Sequence, residues 1–163
     1  MVLNHVWIRR ASSDGDARLV AQLLLTSFAE YRHLYTSRAF AATTITTSEV
    51  QERFKEGPIW IASLENQPVG TVSAVKRSND LYVRSLVVAP PARGHDIGTV
   101  LLRQVERFAI ASGCRRLVLS KTPFLTRAIR LYERYGFARA FEGPSELFGR
   151  PLFTMVLDVR PPT

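Results

Sequence analysis

The feature that most restricts the fold is a change of hydrophobic period part-way along the chain. Three apolar runs, Ile59 to Leu64, Val69 to Val75 and Leu81 to Val88, are separated only by short turns at Asn66 to Pro68 and Ser78-Asn79-Asp80. A parallel pair needs a crossover of a dozen residues or more, so these turns predict an antiparallel meander. After Pro90-Pro91 the period becomes helical: Ile97, Leu101, Val105 and Phe108 share a face on a helix ending near Gly113. Leu117-Val118-Leu119 reads as a strand, and Leu125, Ala128, Tyr132 and Tyr135 mark one more helix. Gly136 to Phe141 and Phe153 to Val159 close the chain as strands. This order predicts an α/β (α+β) fold, a mixed, mostly antiparallel sheet of about seven strands with helices on both faces.

The N-terminal third reads less sharply. Val6-Trp7-Ile8 is a short strand candidate, and Asp14 or Asp16 can cap a helix carrying Leu19, Val20, Leu23, Leu24, Phe28 and Tyr31. Arg32 to Thr47, rich in Thr, Ala and Ser, reads as loop. Ser48 with Gln51 gives a capping-box pattern for a short helix that Gly57-Pro58 stops. At 163 residues and 46% hydrophobic, the chain suits one domain spanning 1–163 with one sizeable core. Neither a secretory leader nor an apolar stretch of roughly 20 residues is present, which predicts a soluble, cytoplasmic protein that does not enter a membrane. Cys114 stands alone and has no internal disulfide partner, which fits a reducing compartment.

Net charge is +8, and it is concentrated: from Arg93 to Arg139 ten basic residues face three acidic ones. Such a half attracts a phosphorylated cofactor, a nucleic acid or an acidic partner, unless it is simply an Arg-rich solvated surface. The segment Leu86-Val87-Val88-Ala89-Pro90-Pro91-Ala92-Arg93-Gly94-His95-Asp96-Ile97-Gly98 is a strand end, a tight turn and a helix start. Unpaired amides and the helix dipole at such a junction make a phosphate site, and glycine permits close approach of the backbone. Gly-rich turns before helices also serve packing alone. His5, His33 and His95 are far apart with no acidic or cysteine partner at ligand spacing, so no metal is expected. Ser120 lacks a nucleophile elbow, and Cys114 between a helix end and a strand reads as a structural thiol. Neither residue therefore reads as a covalent nucleophile.

A second motif, Ala128-Ile129-Arg130-Leu131-Tyr132-Glu133-Arg134-Tyr135-Gly136-Phe137, follows about forty residues later. Taken with V-x-P-x-x-R-G-x-x-I-G, in this order and spacing, it resembles the GNAT superfamily of acetyl-CoA-dependent N-acetyltransferases. The resemblance is specific from about Leu86 to Phe137 and loose in the N-terminal third, where substrate preference tends to reside. It implies acetyl-CoA as cosubstrate. Leu86, Val87 and Val88 would pair with the pantetheine arm, an amide there stabilising the thioester oxyanion. Arg93, Gly94, His95, Asp96, Ile97 and Gly98, with Thr99 beside them, would surround the pyrophosphate. Tyr132 would protonate the departing thiolate, a role that a phenol of ordinary pKa near 10 suits; otherwise it packs on the apolar face of its helix. Members of the family often pair as homodimers, an expectation the resemblance extends to this chain.

Two positions depart from the family pattern. Asp96 stands where Gly is usual; Asp tolerates a left-handed backbone and caps helices, but its charge beside a phosphate costs about 1 kcal/mol. Leu125 stands where many members carry a cofactor-contacting Asn. For the base that deprotonates the amine, Leu81 to Val88 offers no carboxylate. Glu30 is the first candidate, Glu142 and Glu146 are further ones, and water could also accept the proton. The expected activity is acetyl transfer to an amine of a small molecule or peptide. The alternatives are a CoA-binding pseudo-enzyme weakened by Asp96 and a nucleic-acid binder, the last disfavoured because exposed aromatics are not interleaved with the basic residues.

Overall fold

The computed structural model describes residues 5–159; residues 1–4 and 160–163, the ends of the expected domain, lie outside the described residues. In chain order the elements begin with β1 (Val6–Arg10), α1 (Asp14–Phe28), a 3-10 turn (Ala29–Leu34), α2 (Ser37–Thr43) and α3 (Thr47–Phe54). The meander follows as β2 (Ile59–Leu64), β3 (Gln67–Arg77) and β4 (Asp80–Val88). Then come α4 (Ile97–Ala111), β5 (Arg116–Lys121), α5 (Thr126–Tyr135), β6 (Ala138–Ala140), β7 (Glu146–Leu147), β8 (Arg150–Pro151) and β9 (Phe153–Asp158). Seven strands form one sheet in the order β1-β2-β3-β4-β5-β9-β6, and within it only β4 and β5 run parallel.

The two-residue period of β2 divides the interior. Ile59 and Ile61 pack with Leu24, Phe28 and Val50 of α1 and α3, whereas Trp60 and Ala62 pack with Leu101, Leu102 and Val105 of α4. The one core expected from composition is therefore two, one on each face of the sheet. Gly57 shows how tightly the entry to β2 is built. A Cβ there would lie 2.2 Å from the Ala74 carbonyl oxygen, so only glycine lets the chain pass.

The N-terminal third corrects three expectations. Ser13, not Asp14 or Asp16, is the N-cap of α1; Asp16 closes the capping box from N3. It also holds Arg9 through two hydrogen bonds at 3.0 and 2.7 Å. The second capping box is Thr46 with Glu49, not Ser48 with Gln51, because Ser48 already lies inside the first turn of α3. Gln51 instead donates to Asp14 and ties α3 to α1. Arg32 to Thr47, read as loop, carries the end of the 3-10 turn and α2. Its helical character comes from burial of Tyr35, Ala39 and Phe40 against α1, and Thr36 caps α2 by accepting from the Ala39 amide. The β7–β8 hairpin, too short for a periodic signal, was also absent from the expected elements; Thr36 Oγ1 donates to Phe148 O and joins it to α2. Among the described residues no helix is long and apolar enough to cross a membrane, and no three His, Cys, Asp or Glu side chains gather as a metal site.

Candidate active site

The site begins where the sheet opens. β4 and β5 pair only at Asp80–Tyr82 with Arg116–Val118, although β4 continues to Val88 and β5 to Lys121. A bulge explains the divergence: the β3–β4 register shifts between Thr71 and Ser73, and Ser85 sits in a left-handed conformation at φ 57°. Past the bulge, Leu86, Val87 and Val88 face a cavity of about 430 Å³, within the range of small-molecule sites. Lys121 ends β5 on its far side.

The turn into α4 forms the polar end of this cavity. Among the described residues, no backbone N–H from Gly94 to Thr99 has a protein partner, the first bond of the helix being Val100 N–H to Asp96 O. Six amides without a protein partner, at the positive end of a fifteen-residue helix, are an arrangement that attracts an anion. Gly94 is at φ +90°, and a Cβ there would touch nothing, so backbone freedom rather than space requires glycine. Gly98 serves packing: a Cβ would come within 2.6 Å of Leu131 Cδ2, where α5 crosses α4. Asp96 takes the left-handed backbone as expected, at φ 58°, but makes no side-chain cap. Arg127 and Arg134 of α5 add positive charge to the wall, and Arg93 is held by Glu30 at 2.5 Å.

Ten of the expected positions meet around this cavity: Leu86, Val87, Val88, Arg93, Gly94, Asp96, Ile97, Gly98, Thr99 and Leu125. His95 is exposed and does not line it. Tyr132 is fully buried behind the wall, its ring 5.5 Å from Lys121 Nζ and edge-on to Phe137. Its hydroxyl has no hydrogen-bond partner among the described residues, and burial pushes its pKa well up, keeping it protonated. Glu30 neighbours the anion end through Arg93 rather than standing free before an acceptor. Glu142 is bound to Arg116 at 2.6 Å, and Glu146 accepts from the Gly149 amide.

A second cavity of about 150 Å³ adjoins the first, sharing Phe28, Lys121 and Leu125. Tyr35 and Thr43, from the Arg32 to Thr47 segment read as loop, line it with Leu147 of the hairpin. Sequence reasoning missed Lys121, Arg53 and Ser85 here. Lys121 is only 8% exposed, and burial lowers its pKa to about 8. A lone lysine at the end of the otherwise uncharged Leu117–Ser120 run was the available signal; Arg53, on a polar helix, gave none.

The sequence profile of the Acetyltransferase (GNAT) family matches residues 22–137, more than half of the chain. The chain belongs to the GNAT acetyltransferase family. Its curated relatives include the N-acetylaspartate synthetase of Danio rerio, 36% identical over 85 residues, covering 51% of this chain and 30% of the relative. The probable N-acetyltransferase camello of Xenopus laevis is 34% identical over 84 residues, covering 50% of this chain and 38% of the relative. Each match therefore spans well under half of the relative's own length. The GNAT fold is shared with the PaiA N-acetyltransferase of Thermoplasma acidophilum, solved with coenzyme A: TM-score 0.78 at 15% identity, over 94% of this chain and 99% of that one. It is shared also with yncA of Salmonella typhimurium, solved with acetyl-CoA: TM-score 0.72 at 21% identity, over 96% and 95%. At these identities the structural likeness speaks for the fold alone.

Proposed function

We propose that this GNAT chain is an acetyl-CoA-dependent N-acetyltransferase, joining an acetyl group directly to an acceptor amine in a ternary complex. The observation that carries the reading is the run of six unpartnered amides from Gly94 to Thr99, placed beside the open end of β4. The donor set fits the cosubstrate: amides with Arg127 and Arg134 for the pyrophosphate and β4 backbone for the pantetheine amides, with the unpartnered Tyr132 hydroxyl buried behind the cavity wall. Bound acetyl-CoA supplies an activated thioester whose carbon–sulfur bond breaks as the nitrogen–carbon bond forms.

The chain's residues orient that exchange and manage its protons. An amide near Val87 or Val88 donates to the carbonyl oxygen as charge gathers there. Tyr132, held protonated by burial, supplies a proton to the leaving sulfur. Lys121, titrating near pH 8 between the two cavities, takes the proton that the amine gives up. Glu30 then has a positioning role, fixing Arg93.

Asp96 favours a second reading, a CoA-binding regulatory module, because its carboxylate lines the anion end without capping the helix. Thermal unfolding with acetyl-CoA, CoA, NAD and ATP tests the first reading. A ligand at a hundredfold excess over Kd stabilises by about 2.7 kcal/mol, so acetyl-CoA and CoA alone should shift the midpoint. Asp96→Gly should tighten CoA binding about fivefold. If wild type turns over no amine and this variant does, the regulatory reading wins; no shift at millimolar acetyl-CoA refutes both.

A further inference from the structure

The second cavity carries a charge pattern that selects among acceptors. Its wall includes Arg53 from α3, Arg84 and Ser85 from β4, and Lys121 from β5; no carboxylate lines it among the described residues. Arg84 is neutralised by Glu56, which lies outside the lining. Arg53 has no ion pair among the described residues, and its guanidinium gives one hydrogen bond, to Ser85 Oγ at 2.7 Å. Lys121, more than nine-tenths buried, has neither an ion pair nor a hydrogen bond among the described residues. Burial and Arg84's charge lower the Arg53 pKa to about 10 against the opposing pull of Glu56 and Glu49, neither of which lines the cavity.

Lys121 meets the cost of burial through its lowered pKa, so Arg53, part-buried and without an ion pair among the described residues, is the cation left to meet an anionic group. The left-handed Ser85 at the bulge presents its hydroxyl to Arg53, and such strained residues cluster at ligand sites. We infer that the acceptor is a small amine that also bears a carboxylate, its anionic group held by Arg53 in the second cavity and its nitrogen directed past Lys121 toward the thioester. This rests on the acetyltransferase reading of the first cavity and names the substrate class for it.

Size and charge both narrow the class. The cavity, about 150 Å³ and half open to solvent, takes a group of roughly benzene size, which matches the carboxylate-bearing end of a free amino acid. A polyamine or aminoglycoside would bring cations to a cationic wall, at about tenfold in affinity for each like-charge pair near 6 Å in a surface-like dielectric. The same positive surroundings favour the uncharged form of the acceptor amine, which is the form that attacks.

The test uses the purified full chain with acetyl-CoA and reads thiol release for the common amino acids, each beside its descarboxy amine, with spermidine as a cationic control. Calorimetric titration of the same compounds into the CoA-bound protein reads acceptor binding without turnover. At least one amino acid should exceed its descarboxy partner by about tenfold to hundredfold in kcat/KM, the worth of a charge-assisted hydrogen bond. Arg53→Gln should lose that preference through KM, Arg53→Lys should recover part of it, and both should keep the wild-type acetyl-CoA thermal shift. Equal or better turnover of the descarboxy amines, or an equal loss on both by Arg53→Gln, overturns the inference. So does a normal acetyl-CoA shift with no amino acid bound; in that case the cofactor reading stands alone. If wild type shows no acetyl-CoA shift, both readings fall together.

Discussion

Replacing Tyr132 by Phe should separate stability from catalysis in opposite directions. The side chain is fully buried, and its hydroxyl has no partner among the described residues. A buried polar group left without a hydrogen bond costs about 1–3 kcal/mol. Removing one oxygen also forfeits a few dispersion contacts of about 0.1–0.2 kcal/mol each, roughly 0.5 kcal/mol together. The ring keeps its edge-on packing against Phe137 and its place beneath Lys121. The net gain for the ligand-free protein is therefore about 1–2 kcal/mol, a rise in Tm of about 3–6 °C for a domain of this size. A hydroxyl that serves as general acid contributes about 10²–10⁴ in rate, so kcat should fall by that factor while acetyl-CoA affinity stays near wild type. Thermal unfolding without ligand and steady-state thiol release measure the two effects. A destabilised Tyr132→Phe would show that the hydroxyl has a structural partner, and unchanged turnover would remove Tyr132 from the chemistry; either result refutes the reasoning.

Lys121→Met should alter the pH dependence of stability. The folded-state pKa of Lys121 lies near 8 against an ordinary 10.5, so between these values the unfolded chain binds a proton that the folded chain lacks. This group's contribution to stability is thus lowest below pH 8 and rises with pH toward 10.5. The variant should be more stable than wild type at pH 7, with the gap narrowing by pH 10; parallel urea midpoints would contradict this. Tyr35, Tyr82, Arg53 and Arg84 line the same cavity and Tyr132 packs against the amine; all five are common to both proteins. Asp16→Ala should lose about 2 kcal/mol, measured by urea unfolding, because the amides of Ser12 and Ser13 and the Arg9 guanidinium lose their acceptor together. The Arg9 side chain is 55% exposed, so its ion pair supplies the smaller share. Arg9 and the two amides lower the Asp16 pKa, so its stabilisation is present above the ordinary value of 3.8 and is lost as pH falls toward the lower folded-state value. A variant with the wild-type acid profile would disprove that account.

Much of the fold was legible in periodicity alone, because the meander and the two helices after it each write their burial into adjacent residues. The alternation through Ile59–Leu64 and the helical spacing of Ile97, Leu101 and Val105 are local signals, and the structure places those elements within a residue or two of the expected limits. The anion end was legible for a similar reason: strand, Arg-Gly turn and helix are contiguous, so Leu86 to Thr99 could be assigned as a unit. α2 was not legible, since seven residues are too few to show a helical period and its helix depends on burying Tyr35, Ala39 and Phe40 against α1.

Contiguity in sequence therefore determined the order of the main elements, the two faces of the sheet and the Arg-Gly turn that leads β4 into α4. What only tertiary structure decided is the pairing of residues distant along the chain. Arg53 and Ser85, thirty-two positions apart, meet in a hydrogen bond, and both share a cavity wall with Lys121. Glu30 and Arg93, sixty-three positions apart, are likewise joined in an ion pair beside the first cavity. No periodicity announces such meetings, because they follow from the bulge that parts β4 from β5 and from the packing of α1 and α3 over the gap. Charge recorded in the sequence acquires a role only when burial decides which cations lose their water and which find a carboxylate.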